Sequence, residues 1–402
     1  MTEDRIHIEE TIAPSAAQSR IEIVERKGLG HPDTICDLVM ERISQDLSKV
    51  YLGSFGRILH HNCDKGLLVA GQVERRFGGG RVLEPMRLVI GDRATLVREF
   101  EVGEIAVESA RSWIRENLPQ IDPVRHFVYQ VELKGGSEEL TGIFSAPAAI
   151  AAANDTSAAV GYAPLSETER LVLDAERFLN GMEFKARYPD TGQDVKIMAV
   201  RKGSAVDLTV AMPLLDRWVE SEADYFHRKE EIRGSLLAFL RSRLGRIKEI
   251  EVGFNTLDRR GAGLAGMYLS VLGTSAEDAD SGEVGRGNQV NGVIALGRPR
   301  GSEAAAGKNP VSHVGKIYNV LTHLLAEQIH REVSGLEEVF VWLCSQIGAP
   351  VNEPHVAAVQ VKLESGAKFS HVRQPVQRIV ARELERMPEF CRELARGAYR
   401  IC

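Results

Sequence analysis

An α/β (α+β) fold with mixed sheets is what the sequence predicts, on two observations. Segments with strand-like and helix-like spacing alternate along the whole length, and no low-complexity linker or obvious repeat interrupts them. At 402 residues the chain also exceeds the size one hydrophobic core usually serves, and 44% apolar residues suffice to build two or three subdomains.

The first element with a clear start is a helix after His31-Pro32-Asp33. Ile35, Leu38, Val39, Ile43, Leu47 and Val50 recur at helical spacing, Pro32 has its φ preset, and Asp33 reads as the N-cap. His60-His61-Asn62-Cys63-Asp64-Lys65-Gly66 then leads into a compact apolar strand, Leu67 to Ala70, which ends at Gly71-Gln72. Phe77-Gly78-Gly79-Gly80 is too flexible for an element interior and reads as a mobile loop or tight turn. Strands near Met86 to Ile90 and His126 to Glu132, with a helix from about Glu104 to Leu118, complete the first third.

Ser166-Glu167-Thr168-Glu169 is a capping box that opens a helix through Leu171, Val172, Ala175 and Leu179. Asp194 to Val200 and Ala205 to Met212 flank Arg201 to Ser204 as a hairpin, with Val195, Ile197 and Ala199 on one face and Lys196 and Met198 on the other. A charged amphipathic helix from about Ala223 to Leu244 and strands near Ile250 to Phe254 and Met267 to Leu272 follow. Asn309 as N-cap and Pro310 at N1 open a long helix through Val314, Ile317, Tyr318, Leu321 and Leu325. Strands near Glu338 to Cys344 and Ala357 to Leu363 and a closing helix finish the chain.

Composition excludes some partners. The net charge is only −6, so the surface as a whole does not capture nucleic acid or an anionic membrane, and any anion site is a local gathering of cations. No run approaches the roughly 20 apolar residues of a membrane span, and Met1 to Arg20 lacks the apolar stretch of a signal peptide. The five cysteines are scattered without a Cys-x-x-Cys pair and read as reduced thiols. A soluble cytoplasmic protein is expected.

Four dense polar stretches and one lysine inside an apolar strand carry the chemistry. Lys27-Gly28-Leu29-Gly30-His31-Pro32-Asp33-Thr34 sets an imidazole and a carboxylate two residues apart in a glycine-hinged turn, although taken alone it is better explained by Asp33 as an ordinary cap and His31 as a loop residue. Asp155 in Asn154-Asp155-Thr156-Ser157 is a turn residue or a ligand contact. Lys196, inside an apolar strand, snorkels, pairs or meets an anion. Asp280 followed by the glycine-bracketed Arg286 suits a metal-bound phosphate chain gripped from both sides, the plainer reading being a solvated acidic turn. Glu303 to Lys316 contains Gly307-Lys308 but lacks the glycine spacing of a P-loop and has Asn309 where Ser or Thr is needed, so a Walker A assignment is rejected. Lys308 at a helix N-terminus remains a plausible anion site. Two carboxylates for metal and three cations for phosphate point to a magnesium-dependent nucleotide enzyme.

Lys27-Gly-Leu-Gly-His-Pro-Asp33, His60-His-Asn-Cys-Asp-Lys-Gly66, Ala153-Asn-Asp-Thr-Ser157, Ala163-Pro-Leu-Ser-Glu-Thr-Glu169, Gly273-Thr-Ser-Ala-Glu277, Gly285-Arg-Gly-Asn288 and Glu303-Ala-Ala-Ala-Gly-Lys-Asn-Pro310 together resemble S-adenosylmethionine synthetase (methionine adenosyltransferase) of the archaeal type, in order from about Ile21 to Pro354. The resemblance implies a reaction in which L-methionine and ATP give S-adenosylmethionine and the bound tripolyphosphate is hydrolysed to phosphate and diphosphate. It also implies three similar, interleaved α/β subdomains around a pseudo-threefold, here about residues 20–135, 136–246 and 247–402, and a homodimer whose active site lies between subunits.

By the same resemblance His31 is the catalytic histidine near the ATP C5′, and Asp33 and Asp280 are Mg²⁺ ligands, two ions being expected. Lys196, Arg286 and Lys308 hold the triphosphate, and Asp155 and Gln72 contact methionine or the nucleoside. A K⁺ ion is implied without ligands placed. The chain departs from the family pattern at Ala158-Ala159, Gly135 to Glu139, Arg259 to Leu264, Ser281 and Arg300 to Ser302. A paralogue with a changed substrate and a catalytically silent regulatory subunit stay as alternatives.

Overall fold

The computed structural model describes residues 6–137 and 150–402. In chain order the main strands are β1 (Ile6–Glu10), β2 (Ile21–Lys27), β3 (His61–Val69), β4 (Gln72–Glu74), β5 (Arg81–Glu84), β6 (Met86–Ala94), β7 (Phe127–Lys134), β8 (Ala158–Ala163), β9 (Lys196–Lys202), β10 (Ala205–Ala211), β11 (Leu214–Leu215), β12 (Glu249–Phe254), β13 (Leu269–Ser270), β14 (Gly282–Glu283), β15 (Ile294–Ala295), β16 (Leu336–Cys344) and β17 (Val356–Leu363). The helices are α1 (Pro32–Phe55), α2 (Val102–Asn117), α3 (Glu167–Leu179), α4 (Met182–Arg187), α5 (Glu222–Arg241), α6 (Val314–Glu332), α7 (Phe369–Glu385) and α8 (Met387–Ala395).

Three mixed sheets form the frame, each with its own buried core. One orders β14-β3-β6-β7 and packs α1 and α2 around Ile35, Val39, Leu68, Leu88 and Ile114. A second orders β12-β10-β9-β2-β15 and buries Val24, Val195, Ile197, Ala199 and Leu208 with α3 and α5. The third orders β1-β17-β16-β8 and closes over α6 and α7 through Ile317, Leu321, Val341 and Val359. Each sheet joins stretches far apart in the chain: β2 pairs β9 antiparallel, and β1 pairs β17 parallel.

Local rules read from the sequence hold at several places. The Ser166 hydroxyl accepts from Glu169 N at 3.1 Å while the Glu169 carboxylate accepts from Ser166 N, closing the box at the start of α3. The β9–β10 hairpin turns at Gly203, whose φ of 63° suits a residue without Cβ. Phe77 to Gly80 is a turn that is tied down: Gly78 N donates to the Asp216 and Val219 carbonyls, and Gly80 N to Asp216 Oδ2 at 2.7 Å.

Other expectations change. The N-cap of α1 is His31, not Asp33: Pro32 occupies N1, and His31 Nδ1 accepts from Asp33 N at 3.2 Å, which places Asp33 inside the first turn. The long C-terminal helix starts at Val314 after His313, because Asn309 is spent on a local turn, accepting from Val311 N at 3.0 Å while its amide donates to Leu59 O. The strand expected over Met267 to Leu272 shrinks to β13, since the Val271 and Leu272 N–H groups turn onto the Glu277 carboxylate. The closing helix is two helices, α7 and α8. Strands β1, β2 and β8 add to the elements that the sequence spacing predicts.

A buried ion network fastens the second core to the third. Arg298, 7% exposed, pairs with Glu169 of α3 at 3.0 Å and with Glu338 of β16 at 2.5 Å, and its guanidinium lies 4.3 Å from the Tyr162 ring centroid. Removing one partner from such a network leaves buried charge uncompensated. Arg298→Ala is therefore expected to lower unfolding stability in urea by about 3 kcal/mol or more; a loss under about 1 kcal/mol would contradict the network's role.

Candidate functional site

The His31 turn is fixed from both sides. Gly28 N donates to Val195 O at 2.6 Å and Gly30 N to Gln193 O at 3.0 Å, so the turn docks against the approach to β9. A Cβ on Gly30 would stand 2.5 Å from the Asp194 nitrogen, which explains glycine there. From the opposite side Thr274 Oγ1 donates to Gly30 O at 2.7 Å.

Asp33, 7% exposed, has both carboxylate oxygens engaged: Oδ1 accepts from Glu283 N at 2.9 Å and Oδ2 from Lys27 Nζ at 2.8 Å. Lys27 Nζ also donates to Arg286 O at 2.6 Å, and the Lys27 main chain makes two bonds with the Asn288 amide side chain at 2.9 and 2.7 Å. One turn further along α1, Asp37 Oδ1 accepts from Gly285 N at 2.8 Å. The loop carrying Arg286 is thus bound to the His31 turn residue by residue.

Lys196 opens β9 directly opposite Lys27 in the antiparallel register, with its ammonium half-exposed and 3.4 Å from Glu25 Oε1. Burial pushes the His31 imidazole down to about 4, Asp33 opposes this, and Lys27 and Lys196 add to it, so Lys196 belongs to the same electrostatic neighbourhood. The neutral ring accepts at Nδ1, so its proton sits on Nε2. Asp280 is exposed at the end of the loop Ser275 to Gly282 and helps raise the buried Asp194 carboxyl to about 6, a shift due first to burial. Asp194 in turn accepts from Ser275 N and Oγ. Gln72, exposed at the start of β4, sits beside this loop: Gly71 N donates to Ala276 O and Ala70 N to Ser281 Oγ. One chain therefore brings His31, Asp33, Lys196, Asp280, Arg286 and Gln72 into one region.

Lys308 and Asp155 do not join it. Lys308 Nζ lies 2.5 Å from Asp64 Oδ2 and 3.0 Å from Glu303 Oε2, and together with Asp155, Asn62 and Lys65 these residues line a separate pocket of about 210 Å³. The Lys308 main chain is anchored where Ser44 Oγ donates to its carbonyl. Ser44 stands eleven residues beyond Asp33 on α1, about 16 Å along the axis at the helical rise. The composite site read from the sequence is split into two clusters at different levels of one helix.

Lys27, Asp37, Asp64, Asp194 and Glu303 were missed as site residues. Lys27 and Glu303 lie inside the dense stretches, Asp64 lies in the His60 to Gly66 run, and Asp37 is four residues after Asp33 on the same helix face, a spacing that could have flagged it. Of the family departures, Glu138 and Glu139 lie outside the described residues. Arg300 to Ser302 line a cleft of about 390 Å³ with Asn319 and His323 on one side and Asp37, Gly285, Gly287 and Asn288 of the Arg286 loop on the other, and pack beside Ala158-Ala159. Among the described residues no three His, Cys, Asp or Glu side chains converge into a protein-only metal cage. Two hard carboxylates beside cations are instead the donor set of an ion that keeps water and takes substrate oxygens.

Fold and clusters define a mixed α/β protein whose acidic and basic side chains gather on irregular loops beside one helix. The chain belongs to the S-adenosylmethionine synthetase (AdoMet synthetase) family, whose profile matches residues 4–398. It is 46% identical over 401 residues to the S-adenosylmethionine synthase of Aeropyrum pernix, covering 98% of each chain. It is 42% identical over 400 residues to that of Pyrobaculum neutrophilum, again covering 98% of each. The probable S-adenosylmethionine synthase of Aquifex aeolicus is 42% identical over 388 residues, 94% of this chain and 95% of that one. Among solved structures, an unusual S-adenosylmethionine synthetase from Campylobacter jejuni shares the fold at a TM-score of 0.61 and 15% identity, over 94% of this chain and 90% of that one.

Burial raises the Asp37 carboxyl from 3.8 to about 7, outweighing the Gly285 and Gly287 N–H groups that favour its charge. Because the folded value lies above the unfolded one, this group's stabilising contribution is complete below about pH 4 and is lost as pH rises through about 7. Unfolding free energies of wild type and Asp37→Asn measured from pH 4 to 8 should therefore diverge, wild type losing up to about 4 kcal/mol relative to the variant. Parallel curves would contradict it.

Proposed function

We propose that the chain is a methionine adenosyltransferase that joins ATP and L-methionine, with water, into S-adenosylmethionine, phosphate and diphosphate. The observation that carries the reading is the near full-length family match combined with the His31 turn bound directly to the Arg286 loop. The methionine sulfur attacks ATP C5′. A thioether has no proton to lose, so attack needs no general base, and the barrier lies in the departing tripolyphosphate, whose charge must be neutralised as the bond breaks. His31 donates its Nε2–H to the leaving oxygen as a neutral imidazole. Lys196, Arg286 and Lys308 hold the triphosphate, and Gln72 and Asp155 contact methionine or the nucleoside.

Asp33 and Asp280 fit Mg²⁺, two ions being expected, which would supply further positive charge to the phosphates; K⁺ is included by resemblance. Because one chain keeps the His31 cluster apart from the Lys308 pocket, we assign the complete site to a homodimer in which each subunit supplies one cluster. The three cores serve as the three pseudo-threefold subdomains. A cytoplasmic location accords with five free cysteines and with the lack, among the described residues, of any helix long and apolar enough to cross a membrane.

Incubation with ATP, Mg²⁺, K⁺ and methionine should yield S-adenosylmethionine with both phosphate and diphosphate by mass spectrometry. ADP or AMP would overturn the reading, absence of phosphate release would mark a silent subunit, and a preference for a methionine analogue would mark the paralogue. His31→Ala should retain binding of a non-hydrolysable ATP analogue yet lose about 100-fold or more in turnover; normal S-adenosylmethionine formation would remove His31 from the chemistry.

A further inference from the structure

Lys27 occupies the oxygen that the proposed metal needs. Its ammonium donates to Asp33 Oδ2 at 2.8 Å and to Arg286 O at 2.6 Å, leaving one of its three protons uncommitted. The other Asp33 oxygen is already committed to Glu283 N. In this arrangement Lys27 compensates a nearly buried carboxylate and fixes the Arg286 loop at the same time, with side-chain exposures of only 12% and 10% for the pair. Its main chain is held by the β2–β9 ladder, by Asn288 and by Thr34 Oγ1, which donates to Lys27 O at 3.0 Å, so only the four-carbon stem is free to swing.

A divalent cation binds a carboxylate oxygen at about 2.1 Å, and an ammonium cannot stay on that same oxygen against the repulsion of two further positive charges. Pivoting on a fixed main chain beside Arg286, the displaced ammonium remains within reach of whatever anion accompanies the metal. We infer that Lys27 is an exchange residue: it holds Asp33 and the Arg286 loop in the free protein, yields Asp33 to the divalent cation, and transfers its ammonium to the nucleotide triphosphate. The inference rests on the reading of Asp33 as a metal ligand in an ATP site. It makes Lys27 a positioning residue before ligand arrives and a direct phosphate contact afterwards.

The two roles predict shifts of opposite sign. In the full-length protein, Mn²⁺ binding alone is measured by electron paramagnetic resonance, and binding of a non-hydrolysable ATP analogue with Mg²⁺ by calorimetry. Lys27→Met removes the competitor, so Mn²⁺ should bind about threefold or more tighter, while the analogue loses its contact and should bind about tenfold or more weaker. Lys27→Arg, the gentler change, grips the carboxylate with its fork, so Mn²⁺ should bind more weakly than to wild type while analogue affinity stays within about threefold. Melting curves establish that each variant is folded; if Lys27→Met is not, Lys27→Arg decides alone. Weakening of both ligands in Lys27→Met, or no change in either, would reduce Lys27 to a structural role and overturn the inference. Failure of wild type to bind Mn²⁺ or the analogue would instead overturn the metal and nucleotide reading on which it stands.

Discussion

Three carboxylates at four-residue intervals on one face of α1 hold the functional loops in place. Asp33 receives Glu283 N, Asp37 receives Gly285 N, and Glu41 receives Gly307 N at 3.1 Å together with Lys316 Nζ at 2.7 Å. A carboxyl oxygen without a proton accepts, so each side chain can take the open N–H groups that irregular loops leave unpaired. The loops bearing Arg286 and Lys308 have little regular structure of their own, and this ladder substitutes for it. All three carboxylates are buried, at 7%, 3% and 4% exposure, so removal of any one leaves donors of a buried loop without a partner.

The same ladder explains why the electrostatics differ along the helix. At the solvent end Lys27 and Lys196 stand near Asp33, and His31 is kept neutral by burial and by those cations. Deeper, desolvation outweighs the charge of Lys27 and drives the Asp37 carboxyl up to about 7. Deeper still the Glu41–Lys316 pair compensates itself. Charge available to a ligand is therefore concentrated at the Asp33 end and again at Lys308, with a buried structural stretch between.

Local structure was legible wherever the deciding partner is close in sequence. The Ser166–Glu169 box and the alternation that buries Val195, Ile197 and Ala199 while exposing Lys196 follow from spacing alone. Legibility failed where a distant partner decides. Asn309 is drawn off by Leu59 O and Glu277 captures the N–H groups beyond β13, and neither is visible in a window around the residue. The candidate site followed the same rule. Residue types in the dense stretches pointed to phosphate and metal, and all chosen positions but two converge. The division between the His31 cluster and Lys308 with Asp155 is a matter of distance along α1, which no motif encodes.

That division carries the functional account, because a site shared between subunits needs the His31 cluster of one protomer and the Lys308 pocket of its partner. The direct measurement is complementation: His31→Ala and Lys308→Ala protomers, each inactive as its own dimer, are co-expressed and assayed as a mixed population. In a mixed dimer one site collects both lesions and the other is intact, so random pairing should restore about a quarter of wild-type specific activity. If activity stays at the level of the separate variants although mixed dimers form, each site is complete within a single chain and the account of a shared site is wrong.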